Sequence, residues 1–497
     1  MRWANFLHIY QPADQQPDIL EAIVTQSYRP LLEGIRRHPR VRLTLNVSAA
    51  LLELFDHFGY SDLIDDLRTL GREGRVEFTG TAKYHTFLPL LEEDEIRRQI
   101  IINNEATKHF LGDAYQPKGF FPPEMGYQAN LPKILAELGF EWVILDEIAL
   151  GTQPDMVDYT KTYTIEGTKL GVFFRQRRTS NMIMSALVRS PESFAEAMEE
   201  DLKSDRYLLT GMDGETLGHH RPGMEKIFFE LLEIPAIEPV TVSDLLRIYP
   251  ETVAVTPVAS TWASSPEDIK RNVQFLSWHD PENPIHGWQW EFVALVLKEF
   301  RMLDQSNPAW TTVRQKLDQA LASDHFWWAS AKPWWGLEMI EVGAYHLLDI
   351  IETIPDVDTS TIDQARHYYD QIVSTAFQWQ RSGKIRQMTK EQQLSHRIPL
   401  KDRTVGKGGA EAGVYEAFVA MMREREKVAT TAGEYEKAIL WRDAVYKLEN
   451  GWDIYDSINV IDLLRIEIPN QEVEKTIRAY KDRYYQIRGG QPEQRGS

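Results

Sequence analysis

Residues 3–12 read Trp3-Ala4-Asn5-Phe6-Leu7-His8-Ile9-Tyr10-Gln11-Pro12, a short apolar, β-prone run that ends in a cluster of polar side chains. Runs of this kind recur to about residue 250, at 5–9, 41–47, 76–79, 118–121, 142–145, 207–212 and 240–242, and stretches of helical period separate them. That alternation predicts parallel strands joined by crossover helices, and seven such runs predict an incomplete α/β barrel, (β/α)7. Ile96, Ile100 and Phe110 mark one crossover helix; Leu131, Ile134, Leu135 and Leu138 mark another, closed by Gly139. Residues 163–174, centred on Glu166-Gly167-Thr168, read as a hairpin excursion.

Beyond about residue 265 the β signal fades. Leu337, Ile340, Ala344, Leu347 and Ile351 share a helical face, as do Trp290, Val293, Leu297 and Phe300. The expected organisation is therefore a catalytic barrel over 1–260, a helical domain over 261–396, a linker over 397–413, a terminal helical hairpin region over 414–487 and a disordered tail over 488–497.

The chain has 497 residues, and 55 Lys and Arg against 74 Asp and Glu leave a formal charge of −19, so an average surface repels a phosphate backbone and nucleic acid is not an expected partner. There is no cysteine, so disulfides, thiolate nucleophiles and Cys-held metals are excluded. The amino terminus lacks the pattern of a secretory signal, and no apolar run approaches the roughly 18 residues that cross a bilayer. A cytoplasmic protein without membrane contact is expected.

Active sites of α/β barrels lie at the carboxyl ends of the strands, so the polar residues that follow each strand are the candidates. His8, His85 in Tyr84-His85, Glu124 in Pro122-Pro123-Glu124, and Asp213 in Met212-Asp213-Gly214-Glu215 stand at such positions. Topology alone brings two carboxylates and two imidazoles together. Paired carboxylates across a pocket are what glycoside cleavage requires, without a cofactor; taken singly, each is equally readable as a solvated strand-end charge or a helix cap.

His8-x-Tyr10-Gln11-Pro12, Phe121-x-Pro123-Glu124 and Asp213-Gly214-Glu215 with His219-His220 behind it resemble, in order and spacing, successive signature regions of glycoside hydrolase family 57. The resemblance implies an incomplete seven-stranded barrel with a packed helical domain, acting on α-glucans or malto-oligosaccharides with retention of configuration. By it Glu124 is the nucleophile and Asp213 the acid/base. Tyr10 stands where the family commonly has a second His, and Phe121 where it commonly has Trp. Both departures, with Gln11, His85 and His220, are expected at the substrate. The reaction then requires a proton on Asp213 while Glu124 is ionised, with Glu215 supplying the repulsion that keeps it there.

Nine tryptophans fall between residues 262 and 335. Trp288, Trp290 and Trp310 read as helical core, whereas residues 326–335, which mix Ser330 and Lys332 with four Trp, suit sugar rings; Trp328, Lys332 and Trp334 are the expected contacts. His219-His220 beside Asp213 invites a metal reading, but there is no His-x-x-x-His pair in this region and no metal is expected. Residues 434–449 resemble the second half of the UVR helical hairpin, which implies a protein contact. The expected activity is amylase-type hydrolysis, with glucanotransfer or branching by the same pair as the alternative. A non-catalytic carbohydrate binder and a metal-dependent deacetylase are the readings from other classes.

Overall fold

The computed structural model describes residues 1–151, 156–185, 188, 190–332, 334–389, 413–451 and 460–488. Most of the expected linker and nearly all of the expected tail lie outside the described residues. Ten strands are described: β1 (Arg2–Ile9), β2 (Leu43–Val47), β3 (Val76–Thr79), β4 (Gly119–Phe120), β5 (Trp142–Asp146), β6 (Thr162–Ile165), β7 (Gly171–Arg175), β8 (Tyr207–Asp213), β9 (Glu238–Val240) and β10 (Thr252–Val255).

Seven of these follow one another round a curled parallel barrel in the order β1-β2-β3-β4-β5-β7-β8. Two sheets make the ring. They meet where Gly80 pairs with Phe120 beside β3 and β4, and where the Gln176 amide donates to the Leu209 carbonyl at 2.7 Å beside β7 and β8. Glycine is required at the first seam: a Cβ on Gly119 would lie 2.1 Å from the Trp142 ring, and one on Gly80 2.5 Å from the Phe140 ring.

The seventh barrel strand is not the one expected. Residues 163–174 do form an antiparallel hairpin, with Tyr163 opposite Val172, but its second arm is the barrel strand β7, fully buried between β5 and β8. The expected strand at 240–242 is instead a short outer strand, β9, paired to the first three residues of β1. A hairpin turn signals a local excursion; only tertiary pairing reveals that one arm runs back through the barrel wall.

Along β1 alternate residues part company. Ala4 and Phe6 join the core shared with the helical region, whereas Trp3, Leu7 and Ile9 pack beneath the outer helices. That parity points His8 inward. Register then aligns His8 with Asn46 of β2 and Asp213 of β8, and Asn46 with Thr79 of β3, so one rung at the carboxyl end carries four polar side chains.

The helices Pro284–Met302, Trp310–Ala320, Leu337–Thr353 and Thr359–Ser382 cover one side of the barrel, with Trp288, Trp290 and Trp310 part-buried against the core. Among the described residues no strand follows Val255 and no helix is long and apolar enough to cross a membrane. The terminal helices Val414–Ala432, Tyr435–Asn450, Val460–Glu467 and Asn470–Arg488 enclose a separate small core around Phe418, Met422, Trp441 and Leu448.

Candidate active site

The rung is a continuous chain of hydrogen bonds. His8 Nδ1 lies 2.7 Å from Asn46 Oδ1, the Asn46 amide donates to Thr79 Oγ1 at 3.0 Å, His8 Nε2 meets His85 Nε2 at 3.1 Å, and His85 Nδ1 meets Ser323 Oγ at 3.0 Å. With both imidazoles neutral, as burial favours, every contact is satisfied: the Ser323 hydroxyl donates to His85 Nδ1, the His85 Nε2–H donates to His8 Nε2, and the His8 Nδ1–H donates to Asn46. Burial pushes His8 down to about 4, and burial with His8 beside it holds His85 well below the usual imidazole range.

Glu124 sits in the turn Pro123–Met125, in the left-handed region at φ 62° and ψ 16°; Met125 (φ 50°) and His85 (φ 53°) share that unusual backbone. Residues with a Cβ occupy this region at a cost of order 1–3 kcal/mol each, and such strain gathers where a side chain must be aimed. Glu124 is aimed at Trp262. The indole N–H donates to its Oε2 at 2.7 Å, and the Trp262 amide donates to the Glu124 carbonyl at 3.1 Å. On the other side His85 Nδ1 lies 3.8 Å from Oε1, and the carboxylate keeps 18% of its side-chain surface exposed.

Asp213 ends β8 opposite His8. The cation facing it is Arg175 of β7, whose Nε donates to the Gly211 carbonyl at 2.6 Å while NH1 pairs with the buried Asp146 at 2.7 Å. Glu215, buried, accepts hydrogen bonds from the Tyr28 hydroxyl, the Gln11 amide (3.3 Å) and the Tyr10 backbone N–H (3.3 Å). Asp324, at the start of the short helix Asp324–Trp328, accepts the Tyr10 hydroxyl at 2.8 Å.

Four carboxyl groups therefore share one desolvated cleft. Burial, then repulsion from Asp213, raises Glu124 to about 8 despite the Trp262 bond; burial raises Asp213 to about 6 against the pull of Arg175. Burial first raises Glu215 to about 7, with Asp213 adding to it, and Asp324 to about 6. The order within the pair is the reverse of the expected one. Glu215 lifts nothing decisively, because Arg175 faces Asp213, whereas Glu124 lies against aromatic rings with carboxylates on two sides. Burial and flanking carboxylates thus favour the protonated form of Glu124, while Arg175 favours the ionised form of Asp213.

Of the expected contacts, His8, Tyr10, His85, Phe121, Glu124 and Asp213 gather here. The Tyr10 ring stacks on His85 at 4.4 Å, and Phe121, with no exposed surface, lies beneath His8 at 4.7 Å. Gln11 is buried, its amide donating to the Tyr28 hydroxyl and to Glu215. His220 is exposed on the turn after Asp213, and its amide donates to the Glu215 carbonyl at 2.8 Å. Lys332 pairs with the buried Asp280 at 2.8 Å. Trp328 and Trp334 cluster with Trp327, at ring-centroid distances of 5.0–6.2 Å, and Trp334 is 40% exposed.

Sequence reasoning missed Trp262, Asp324 and Arg175 as site residues. Asp324 had one local signal, a carboxylate two residues ahead of Phe326-Trp327-Trp328. Arg175 was hidden by the hairpin reading. Among the described residues no three His, Asp or Glu side chains converge to hold a metal ion.

The model for glycosyl hydrolase family 57 matches residues 8–257. An α-amylase of Pyrococcus abyssi is 24% identical over 54% of this chain and 43% of its own length, and a 4-α-glucanotransferase of Thermococcus litoralis is 24% identical over 56% and 44%. The chain thus spans less than half the length of these curated relatives. In fold, it is similar to the crystal structure of the 4-α-glucanotransferase from Thermococcus litoralis (TM-score 0.57, 20% identity, 70% of this chain and 59% of that one). It is also similar to the branching enzyme from Pyrococcus horikoshii (TM-score 0.56, 16% identity, 76% and 96%).

Proposed function

From the premise that this chain belongs to glycosyl hydrolase family 57, we propose that it cleaves α-1,4-glucosidic bonds with retention of configuration, Glu124 acting as nucleophile and Asp213 as acid/base. The observation that carries the reading is the pairing of the strand-end carboxylate Asp213 with the turn carboxylate Glu124 in one desolvated cleft, Glu124 being aimed by the Trp262 indole and strained backbone.

The chemistry follows from the pair. Glu124 Oε1, the oxygen not held by Trp262, attacks the anomeric carbon as Asp213 delivers its proton to the departing glycosidic oxygen. The C–O bond to the leaving chain breaks as the glycosyl ester forms. Asp213, now a carboxylate, takes a proton from water, whose oxygen displaces Glu124 and regenerates both groups. No cofactor enters. A proton that rests on Glu124 in the empty cleft must pass to Asp213 when sugar binds, and hydrogen bonding from Trp262 favours the ionised Glu124 that results. Neutral His8 and His85, held by Asn46, Ser323 and each other, line the cleft without adding charge, and Tyr10 walls the reactive sugar between Glu215 and Asp324.

The relatives' names include α-amylase, 4-α-glucanotransferase and branching enzyme. We place hydrolysis first, in the cytoplasm, on malto-oligosaccharides, with Trp328 and Trp334 as an outlying platform for further sugar rings. Incubation with maltoheptaose and with amylose, with and without chelator, followed by chain-length analysis, tests this. Shorter sugars alone, unaffected by chelator, are expected. Longer chains indicate transfer, new α-1,6 links indicate branching, and unchanged substrate contradicts the enzymatic reading.

A further inference from the structure

The terminal helices have their own core, but a fully buried charge ties them to the barrel. Asp462 of the helix Val460–Glu467 has no exposed side-chain surface and pairs with Arg221 NH1 at 3.1 Å; the Arg221 side chain is 20% exposed. Arg221 closes the turn that begins at Asp213. Leu217 and Arg221 form a bridge, and the His220 amide holds the Glu215 carbonyl. Gly218 (φ 109°) passes so near the Gln26 carbonyl that a Cβ would lie 1.9 Å from it, and His219 Nδ1 meets Gln26 Oε1 at 2.8 Å. This turn has one way to sit.

The other arm of Arg221 reaches the opposite flank of the acid/base. Its Nε donates to the Met184 carbonyl at 2.9 Å, at the end of the helix Arg177–Met184. Met184 Sδ lies 3.5 Å from Arg175 NH2, and Arg175 Nε grips Gly211, two residues before Asp213. Arg221 thus joins the terminal module to both ends of the segment that presents Asp213. A buried ion pair is a weak source of net stability, since well-packed apolar side chains of similar volume do as well or better, but breaking one by removing a single partner is costly. Its placement fixes an orientation.

We infer that Asp462 is a positioning residue: through Arg221 the terminal module holds the turn 213–221 so that Asp213 faces the glycosidic oxygen. The inference rests on the reading of Asp213 as acid/base.

The test compares the full-length Asp462→Asn and Arg221→Lys variants with the parent on maltoheptaose and on 4-nitrophenyl α-maltoside, whose aglycone leaves without a proton. General acid catalysis contributes about 10²–10⁴-fold, and a misaimed acid forfeits part of it, so kcat/KM on maltoheptaose should fall about 10-fold or more and on the nitrophenyl substrate less than about 3-fold. A module that merely stabilises the fold lowers both equally. In parallel, amides 214–221 should exchange hydrogen faster in both variants than in the parent, a readout that needs no activity. Equal losses on both substrates, or unchanged exchange in the turn, overturn the inference. A parent inactive on both substrates but showing the exchange difference refutes the glucan reading and leaves the positioning intact.

Discussion

The cleft has two walls of different origin. One is the rung of strand ends, Thr79, Asn46, His8 and Asp213, whose alignment is dictated by parallel register. The other comes from outside the barrel wall: Trp262, Ser323 and Asp324 reach in from segments 49 or more residues beyond Asp213. The rung follows from local sequence, because a strand's last inward residue has nowhere else to point. The second wall follows only from how the helical region packs. The rung carries Asp213 and the turn after β4 carries Glu124, while the outer wall bears on their charge and on the space between them.

The sharpest way to break this division is to remove a reacting group. Glu124→Gln is expected to lower kcat by about 10⁴-fold or more while maltoheptaose affinity, measured by calorimetry, changes little. The same variant should be more stable than the parent. A carboxyl whose folded pKa is raised from 4.5 to about 8 has no effect on stability below pH 4.5, where both states are protonated. Its presence costs stability as pH rises toward 8, by about 1.4 kcal/mol per unit at most. The melting-temperature gain of Glu124→Gln should therefore be larger at pH 8 than at pH 4.5.

Asp213→Asn comes next, with kcat on maltoheptaose expected to drop by about 10²–10⁴-fold and far less on aryl glycosides. The intact pair works with one shared proton. Activity should decline on the acid side near 6, as the second proton binds, and on the alkaline side near 8, as the last one leaves.

A substitution in the outer wall should act more gently and move the profile instead. Trp262→Phe removes a charge-assisted hydrogen bond of about 1.5–3 kcal/mol to the carboxylate, so kcat should fall about 10-fold. Because that bond lowers the Glu124 pKa, its loss should carry the alkaline limb upward. An unchanged limb would show that the indole does not govern the nucleophile's charge.

Smallest of all, Tyr10→His should leave the melting temperature within about 2 °C and shift the ratio of transfer to hydrolysis by a few fold. Tyr10 links the two sides, its amide on Glu215, two residues after Asp213, and its hydroxyl on Asp324. Product analysis on maltoheptaose checks the shift; identical product ratios would remove Tyr10 from specificity.

What was legible in the sequence follows the same line. His8, Glu124 and Asp213 were found because each follows an apolar strand, and the barrel was counted correctly at seven. One of the seven was misassigned, since β7 is reached through a hairpin turn and carries no crossover helix before it. Arg175 was lost with it. Trp262 lies among nine neighbouring indoles, and nothing local separates the one that bonds Glu124 from those that fill core. The pKa order was misjudged for a related reason: Glu215 is adjacent in sequence, but the groups that decide the proton's place, Arg175, Trp262 and Asp324, are distant in it.

In the proposed mechanism Glu124 attacks the sugar directly and Asp213 serves it with a proton. The configuration of the first product released from maltoheptaose, followed by NMR before mutarotation sets in, tests it most directly. The α-anomer is expected at the earliest times, with the β-anomer growing in only by slow equilibration. Prompt appearance of the β-anomer would mean that water, not Glu124, attacks the anomeric carbon, and would contradict the assignment of the pair.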